Sequence, residues 1–234
     1  MKNNDTFSND FVLVEGGTFN NGTADVTLSS FHINKYEVTQ AEYERVIGEN
    51  PSYFKGDNLP VESVSWYDAV EFCNKKSKDD GLDPCYFCSG KNIECNFTAN
   101  GYRLPTEMEW MFAAKGGNGE PATGYNEYAG TDVEAQLTNY AWYDLLSGQT
   151  TYTVGTKLPN ELGLYDMSGN VWEWCNDWYG AYKTNPTGVK TGSYRVIRGG
   201  SWGGSATYCR VASLIIIYPS NSYITLGFRL VRSL

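Results

Sequence analysis

The chain has 234 residues, a formal net charge of -9 and a pI near 4.7, which is long enough to bury a core that needs no metal or disulfide staple. The acidic balance, with no clustering of Lys and Arg, argues against a phosphate-neutralising surface and hence against nucleic acid as partner. No apolar run reaches the length of a membrane span, and the opening MKNNDTFSND lacks the apolar stretch of an export signal. One domain over residues 1–234 is the expectation, with no membrane insertion by this chain.

From Asp10 to Thr39, DFVLVEGGTFNNGTADVTLSSFHINKYEVT alternates β-branched and aromatic residues with polar ones, predicting two or three strands and a tight turn at Asn20-Asn21-Gly22. His32, the only histidine, reads there as a strand residue. QAEYERVIGEN predicts a short amphipathic helix, and Ser65 is the expected N-cap of a second one running through AVEFCNKKS. Thr106 and Glu109 form a capping box before WMFAAK, and Gly116-Gly117 ends that third helix by permitting left-handed backbone.

Beyond Gly117 the chain is rich in Gly, Asn, Thr and Tyr, without long helical periodicity. Irregular structure with short strands is expected, locked by contacts such as those of Trp142, Trp172, Trp174, Trp178 and Trp202. The six cysteines fall at 73, 85, 88, 95, 175 and 209. Cys85, Cys88 and Cys95 invite a zinc reading, but zinc needs a fourth soft ligand from a distant cysteine. Reduced thiols, or one hairpin disulfide within 85–95, are the simpler readings.

VEGGTF, KYEVTQAEY, PVESVSWYDAVEFCN, GYRLPTEMEW, NELGLYDMSGNVWEW, and RGGSW with LGFRLVR follow one another in an order and spacing that resembles the formylglycine-generating-enzyme (sulfatase-modifying factor) family, a branch of the C-type lectin-like fold. The resemblance covers nearly the whole chain and implies one compact α+β domain with extensive irregular structure. Read physically, Gly199 and Gly200 let the backbone bend or approach closely, while Arg198 or Arg229 can bridge several carbonyls with a five-donor fork. Trp172 and Trp174 share a face of an extended segment and read as core.

The resemblance also implies what an enzyme of this family would need. Its cysteine oxidases bind copper through a pair of thiolates in the segment after GGS; this chain has Gly203 and Gly204 there, and Cys209 alone further on. The related iron-dependent sulfoxide synthases rely on histidine ligands, and His32 stands by itself. No Ser-His-Asp or Cys-His set can be assembled, and no Gly-rich phosphate loop follows a clear strand. An oxidase or sulfoxide synthase remains the alternative reading, and a non-enzyme is the expectation.

RGGSW, CRVA, a Pro and LGFR in this pattern resemble more closely one branch of the family, the variable proteins of diversity-generating retroelements. That resemblance implies gaps rewritten by reverse transcription of template adenines, so that an AAC codon becomes any codon ending in C. Lys, Glu, Gln, Met and Trp are then never delivered, and GGSATY and SLIIIYPSNSYIT contain none of them. The implied ligand-binding residues are Trp202 at the edge of the first gap and Gly203, Gly204, Ser205, Ala206, Thr207 and Tyr208 within it. In the second they are Ser213, Leu214, Ile215, Ile216, Ile217, Tyr218, Ser220, Asn221, Ser222, Tyr223, Ile224 and Thr225. Apolar residues at consecutive positions 214–217 would sit on both faces of a strand; exposed, they form a patch of the kind that marks interaction sites, and the tyrosines add broad contacts at low entropy cost.

No cofactor is required on this reading. Calcium is the ion the resemblance allows, with Asp166 and Glu173 giving carboxylates and Gly169 and Val171 giving carbonyls in DMSGNVWE. The expected partner is another macromolecule, a protein, met by a monomeric chain. The expected location is the cell surface or the extracellular space, the export signal missing from this chain; a cytoplasmic location is also compatible with the sequence.

Overall fold

The computed structural model describes residues 10–90, 92–117, 127–144, 148–181 and 184–234. Four strands open it, β1 (Phe11–Val14), β2 (Gly17–Asn20), β3 (Asp25–Leu28) and β4 (Phe31–Asn34), followed by helices α1 (Gln40–Ile47) and α2 (Trp66–Asp79). Strands β5 (Tyr86–Ser89), β6 (Asn92–Cys95) and β7 (Tyr102–Arg103) lead to helix α3 (Glu107–Ala114). The C-terminal half contributes β8 (Trp172–Trp178), β9 (Arg195–Arg198), β10 (Ile215–Ile217), β11 (Leu226–Gly227) and β12 (Val231–Ser233). No helix among the described residues is long and apolar enough to cross a membrane.

Two four-stranded sheets carry the fold, in the orders β1-β4-β12-β7 and β10-β9-β8-β11, with β2-β3 and β5-β6 as separate hairpins. Asn20-Asn21-Gly22 does not make a two-residue turn. The Asn20 and Asn21 side-chain oxygens accept the N–H groups of Gly22, Thr23 and Ala24 at 2.9–3.0 Å, and these local bonds stabilise a longer loop. The helix caps are as read: the Ser65 and Thr106 hydroxyls accept from Asp68 N and Glu109 N, and both capping boxes close. Gly116 and Gly117 take φ of +88° and +70° after α3.

Helix α3 is buried along its whole length and packs in an apolar cluster with Ile33, Val196 and Val231, so its two glutamates must find cations. Glu107 pairs with Arg198, and Glu109 accepts both Nη groups of Arg103 at 2.6 and 2.7 Å. A second cluster joins α1 and α2 to β8 through Trp66, Phe72, Trp174 and Phe228. Phe228 meets the rings of Tyr43 and Phe72 at 6.3 and 5.3 Å and is fully buried. His32 lies on β4 opposite Leu13 and Arg232, as a strand residue.

A bulge in β8 between Trp174 and Trp178 turns Asp177 toward the start of α3, where its Oδ2 accepts Glu107 N at 2.8 Å. Burial, reinforced by the neighbouring Glu107 charge, pushes its carboxyl up to about 8. The folded chain therefore keeps a proton that the unfolded chain releases near pH 4, and stability falls as pH rises toward 8, by at most about 1.4 kcal/mol per pH unit. Urea unfolding across pH 5–8 should show this decline, and Asp177→Asn should flatten it. Phe228→Ala should lose about 3–5 kcal/mol through the cavity it leaves, whereas Ser205→Asn or Ser222→Asn, at exposed gap positions, should shift stability by under about 0.5 kcal/mol.

Candidate functional site

The two gaps come together. Gly203, Ser205, Thr207, Tyr208, Leu214, Tyr218, Ser220, Ser222, Tyr223 and Ile224 are exposed, and Gly204, Ala206, Ser213, Ile215, Ile216, Ile217, Asn221 and Thr225 are half-buried. Tyr208, Tyr218 and Tyr223 expose 48%, 50% and 46% of their surface, so each keeps a broad apolar face and a hydroxyl for a partner. Ile215 and Ile217 differ from pure display residues, because β10 pairs with β9 and both side chains pack partly on the main core. A strand must alternate its faces, so the edge strand serves the core with one face and solvent with the other.

Between the gaps lies a solvent-open hollow of about 500 Å³ lined by Trp172, Trp202, Gly203, Gly204, Tyr208, Ile215 and Thr225, with Ser201, Asp144 and Gln149 completing it. The Trp172 ring stands edge-on to Tyr208 at 6.1 Å. Trp202 is half-buried rather than core: its indole N–H donates to Ile224 O at 3.1 Å and its ring meets the edge of Phe54 at 5.5 Å. Tyr53, 70% exposed, stands edge-on to Phe54 and extends the aromatic rim.

The frame holds both gaps by their main chain. Donors from outside the second gap reach five carbonyls within it: Arg198 Nη1 to Ser213 O at 2.9 Å, Trp66 N to Pro219 O at 3.1 Å, Ser63 N to Tyr223 O at 3.0 Å, Trp202 Nε1 to Ile224 O at 3.1 Å, and Trp172 N to Thr225 O at 2.8 Å. In the first gap Gly204 O accepts Asp144 N at 2.8 Å. Below it Gly200, at φ +80°, leaves room for Tyr208 O and Cys209; a Cβ there would lie 2.9 Å from each of Tyr208 O and the Cys209 sulfur. Gap side chains add a few contacts of their own: the Tyr218 hydroxyl meets that of Tyr194 at 2.9 Å, Ser213 Oγ donates to Thr207 O at 2.6 Å, and Ile215 and Ile217 pack on the core.

Phe54, Asp144 and Gln149 were not legible as site residues. Asp144 and Gln149 line the hollow from distant segments with no local signature, on left-handed backbone at φ +50° and +61°, and Phe54 supports it from behind the Trp202 ring. Trp172 was read as core, and it is both buried and the floor of the hollow.

The calcium set is not presented as a cage. Both Glu173 oxygens are bound by Arg229, at 2.7 and 2.6 Å, and Trp110 Nε1 donates to one of them at 2.8 Å. Asp166 caps Gly155 N at 2.7 Å with Oδ2, while its buried Oδ1 has no partner. Around Gly169 and Val171 the contacts run through backbone N–H groups, to Gly199 O at 2.8 Å and to Glu37 Oε1 at 3.1 Å. Among the described residues no group of three or more His, Cys, Asp or Glu is placed to hold a metal ion. The six cysteines are all free thiols, so the hairpin of β5 and β6 carries no disulfide.

Fold and site together define an α+β domain whose long connections are pinned by buried ion pairs and whose broad hollow opens beside two apolar loops. The chain belongs to the family of the sulfatase-modifying factor enzyme 1-like domain, whose model matches residues 1–234. Its fold is accordingly that of the formylglycine-generating enzymes and variable proteins. The solved structure of Treponema denticola variable protein 1 aligns with a TM-score of 0.85 at 37% identity, over 95% of this chain and 94% of that one. The chaperone protein LppX of Paenibacillus barcinonensis is 38% identical over 89% of this chain and 84% of its own length. The formylglycine-generating enzyme of Thermomonospora curvata is 32% identical over 78% of this chain, but the match spans only 58% of that enzyme.

Cys209, the one thiol in the segment after GGS, is buried, and burial pushes it up to about 12. A thiol in that state is a poor nucleophile and a poor metal ligand. Iodoacetamide at pH 8 followed by peptide mass spectrometry should therefore modify the exposed Cys88 first, with Cys209 labelled only after denaturation.

Proposed function

We propose that this chain is a non-enzymatic display domain, a variable protein of a diversity-generating retroelement, whose gap residues 203–208 and 213–225 bind a macromolecular ligand, a protein. The observation that carries the reading is the main-chain grip on the gaps. A frame that holds the loops chiefly by their carbonyls tolerates replacement of the exposed side chains, and it holds the backbone in place before a partner arrives. That preorganisation removes the ordering entropy a mobile loop would lose on binding. The similarity to Treponema denticola variable protein 1 over nearly the whole of both chains supports it.

The gaps contain no Lys, Arg, Asp or Glu, so recognition rests on shape, tyrosine and isoleucine, with ordinary association rates. An oxidase reading draws on the enzyme relative, yet the copper chemistry that the family resemblance implies needs two sulfurs, and this segment offers one, buried. The domain acts as a monomer, at the cell surface or outside the cell, and needs no calcium.

Sequencing the same locus from several isolates tests the proposal. Substitutions should fall in codons of the two gaps and leave RGGSW, CRVA and LGFR unchanged; substitutions spread evenly along the chain would refute it. Stoichiometric copper binding, or oxidation of a thiol peptide by the purified protein, would favour the enzyme instead.

A further inference from the structure

At the other end of β8 from the hollow, a second solvent-open cavity of about 370 Å³ is walled by Trp66, Tyr86, Phe97 and Trp178, with Asn176 and Arg195 inside and Glu94 and Lys190 also on its lining. Arg195 is 4% exposed. Its guanidinium lies between two indoles, 3.7 Å from the Trp66 ring centre and 3.5 Å from that of Trp178, in a slot where the rings themselves stand 6.5 Å apart and 25° from parallel.

The other deeply buried arginines each have a carboxylate: Arg103 has Glu109, Arg198 has Glu107 and Arg229 has Glu173. Arg195 makes no such pair among the described residues. Its Nη1 donates to Asn176 O, and its buried Nε meets no acceptor. The nearby Asp177 makes no ion pair with it: its Oδ2 is bound by Glu107 N, and burial pushes its carboxyl up to about 8.

Asn176 adds a second donor. Tyr86 accepts Leu104 N at its hydroxyl and donates that hydroxyl to Asn176 Oδ1 at 3.1 Å, which fixes the amide and leaves Nδ2 as a donor on the cavity wall. Two indole faces offset part of the cost of burying a guanidinium, but a buried cation without a carboxylate remains costly and calls for a partner.

We infer that this cavity binds a small organic carboxylate with an apolar body, its two oxygens meeting the guanidinium of Arg195 and the amide of Asn176 while the aromatic walls hold the rest. One fork of parallel N–H donors matches the geometry of a carboxylate. A phosphate dianion would call for more cationic groups than one guanidinium and the exposed Lys190. The volume falls within the range of small-molecule sites. The inference is independent of the gap residues and of the proposed display function.

Isothermal titration of the full chain with sodium phenylacetate, phenylacetamide and inorganic phosphate at matched ionic strength tests it. Phenylacetate should bind at least about tenfold more tightly than phenylacetamide, which has its shape without its charge. The indole N–H resonances of Trp66 and Trp178 should shift on binding. At the exposed positions on the lining, Lys190→Ala should weaken binding and Glu94→Gln should tighten it, each by about two- to fivefold. Arg195→Lys should abolish the preference for the carboxylate; if that variant does not fold, the Lys190 and Glu94 variants still decide. Equal binding of acid and amide, no binding of the acid, or binding indifferent to both lining variants would overturn the inference. Tighter binding of phosphate than of phenylacetate would overturn the carboxylate assignment.

Discussion

The buried pair of Arg229 and Glu173 is the constraint around which the rest is arranged. Both side chains are completely buried, so each charge must be met inside the protein. Beyond Glu173, the guanidinium reaches the carbonyls of Asn34 and Lys35 at 3.2 Å and of Tyr165 at 2.9 Å, while Trp110 supplies a further hydrogen bond to the carboxylate. One residue near the C-terminus thus joins the end of β4, the loop before β8, β8 itself and α3. Removing either partner of such a pair typically costs about 3–5 kcal/mol because an uncompensated charge stays behind. The irregular half of the chain holds its shape because a guanidinium satisfies carbonyls that a sheet ladder would otherwise have paired.

That solution repeats. Arg198 binds Glu107 and the carbonyls of Val211 and Ser213, so a framework arginine also secures the start of the second gap. Glycines do the complementary work where no side chain fits, as Gly200 does beneath Tyr208 and Cys209. The outcome is a division between residues that set the path of the backbone and residues that ride on it. Proteins of different kinds, enzymes and a variable protein among them, align with this chain, as expected where one fold hosts several functions.

How much of this could be read in advance depends on how local each signal is. Ser65, Thr106 with Glu109, and Gly116-Gly117 announce helix ends because a cap is made by residues within one turn. Gly199 and Gly200 were legible because only glycine accepts such backbone. Glu173 was not. In a sequence a carboxylate looks the same whether it awaits calcium or an arginine 56 positions away. Asp144 and Gln149 enter the hollow, and Phe54 meets its Trp202, through tertiary contacts alone. Trp172 shows a further limit, since core and surface are treated as alternatives in a sequence while one large ring serves both.

Pro219 divides the second gap. It is the only buried residue among 213–225, and its carbonyl is held by Trp66 N, with Tyr223 O held by Ser63 N a few positions on. Thirteen residues are thereby cut into short spans with fixed ends, and a short span has almost no slack to redistribute. An inserted or deleted residue would pull a carbonyl off its donor, whereas an exchanged side chain would not. So pinned, the loop has room for a substitution at its exposed positions and none for an insertion or a deletion.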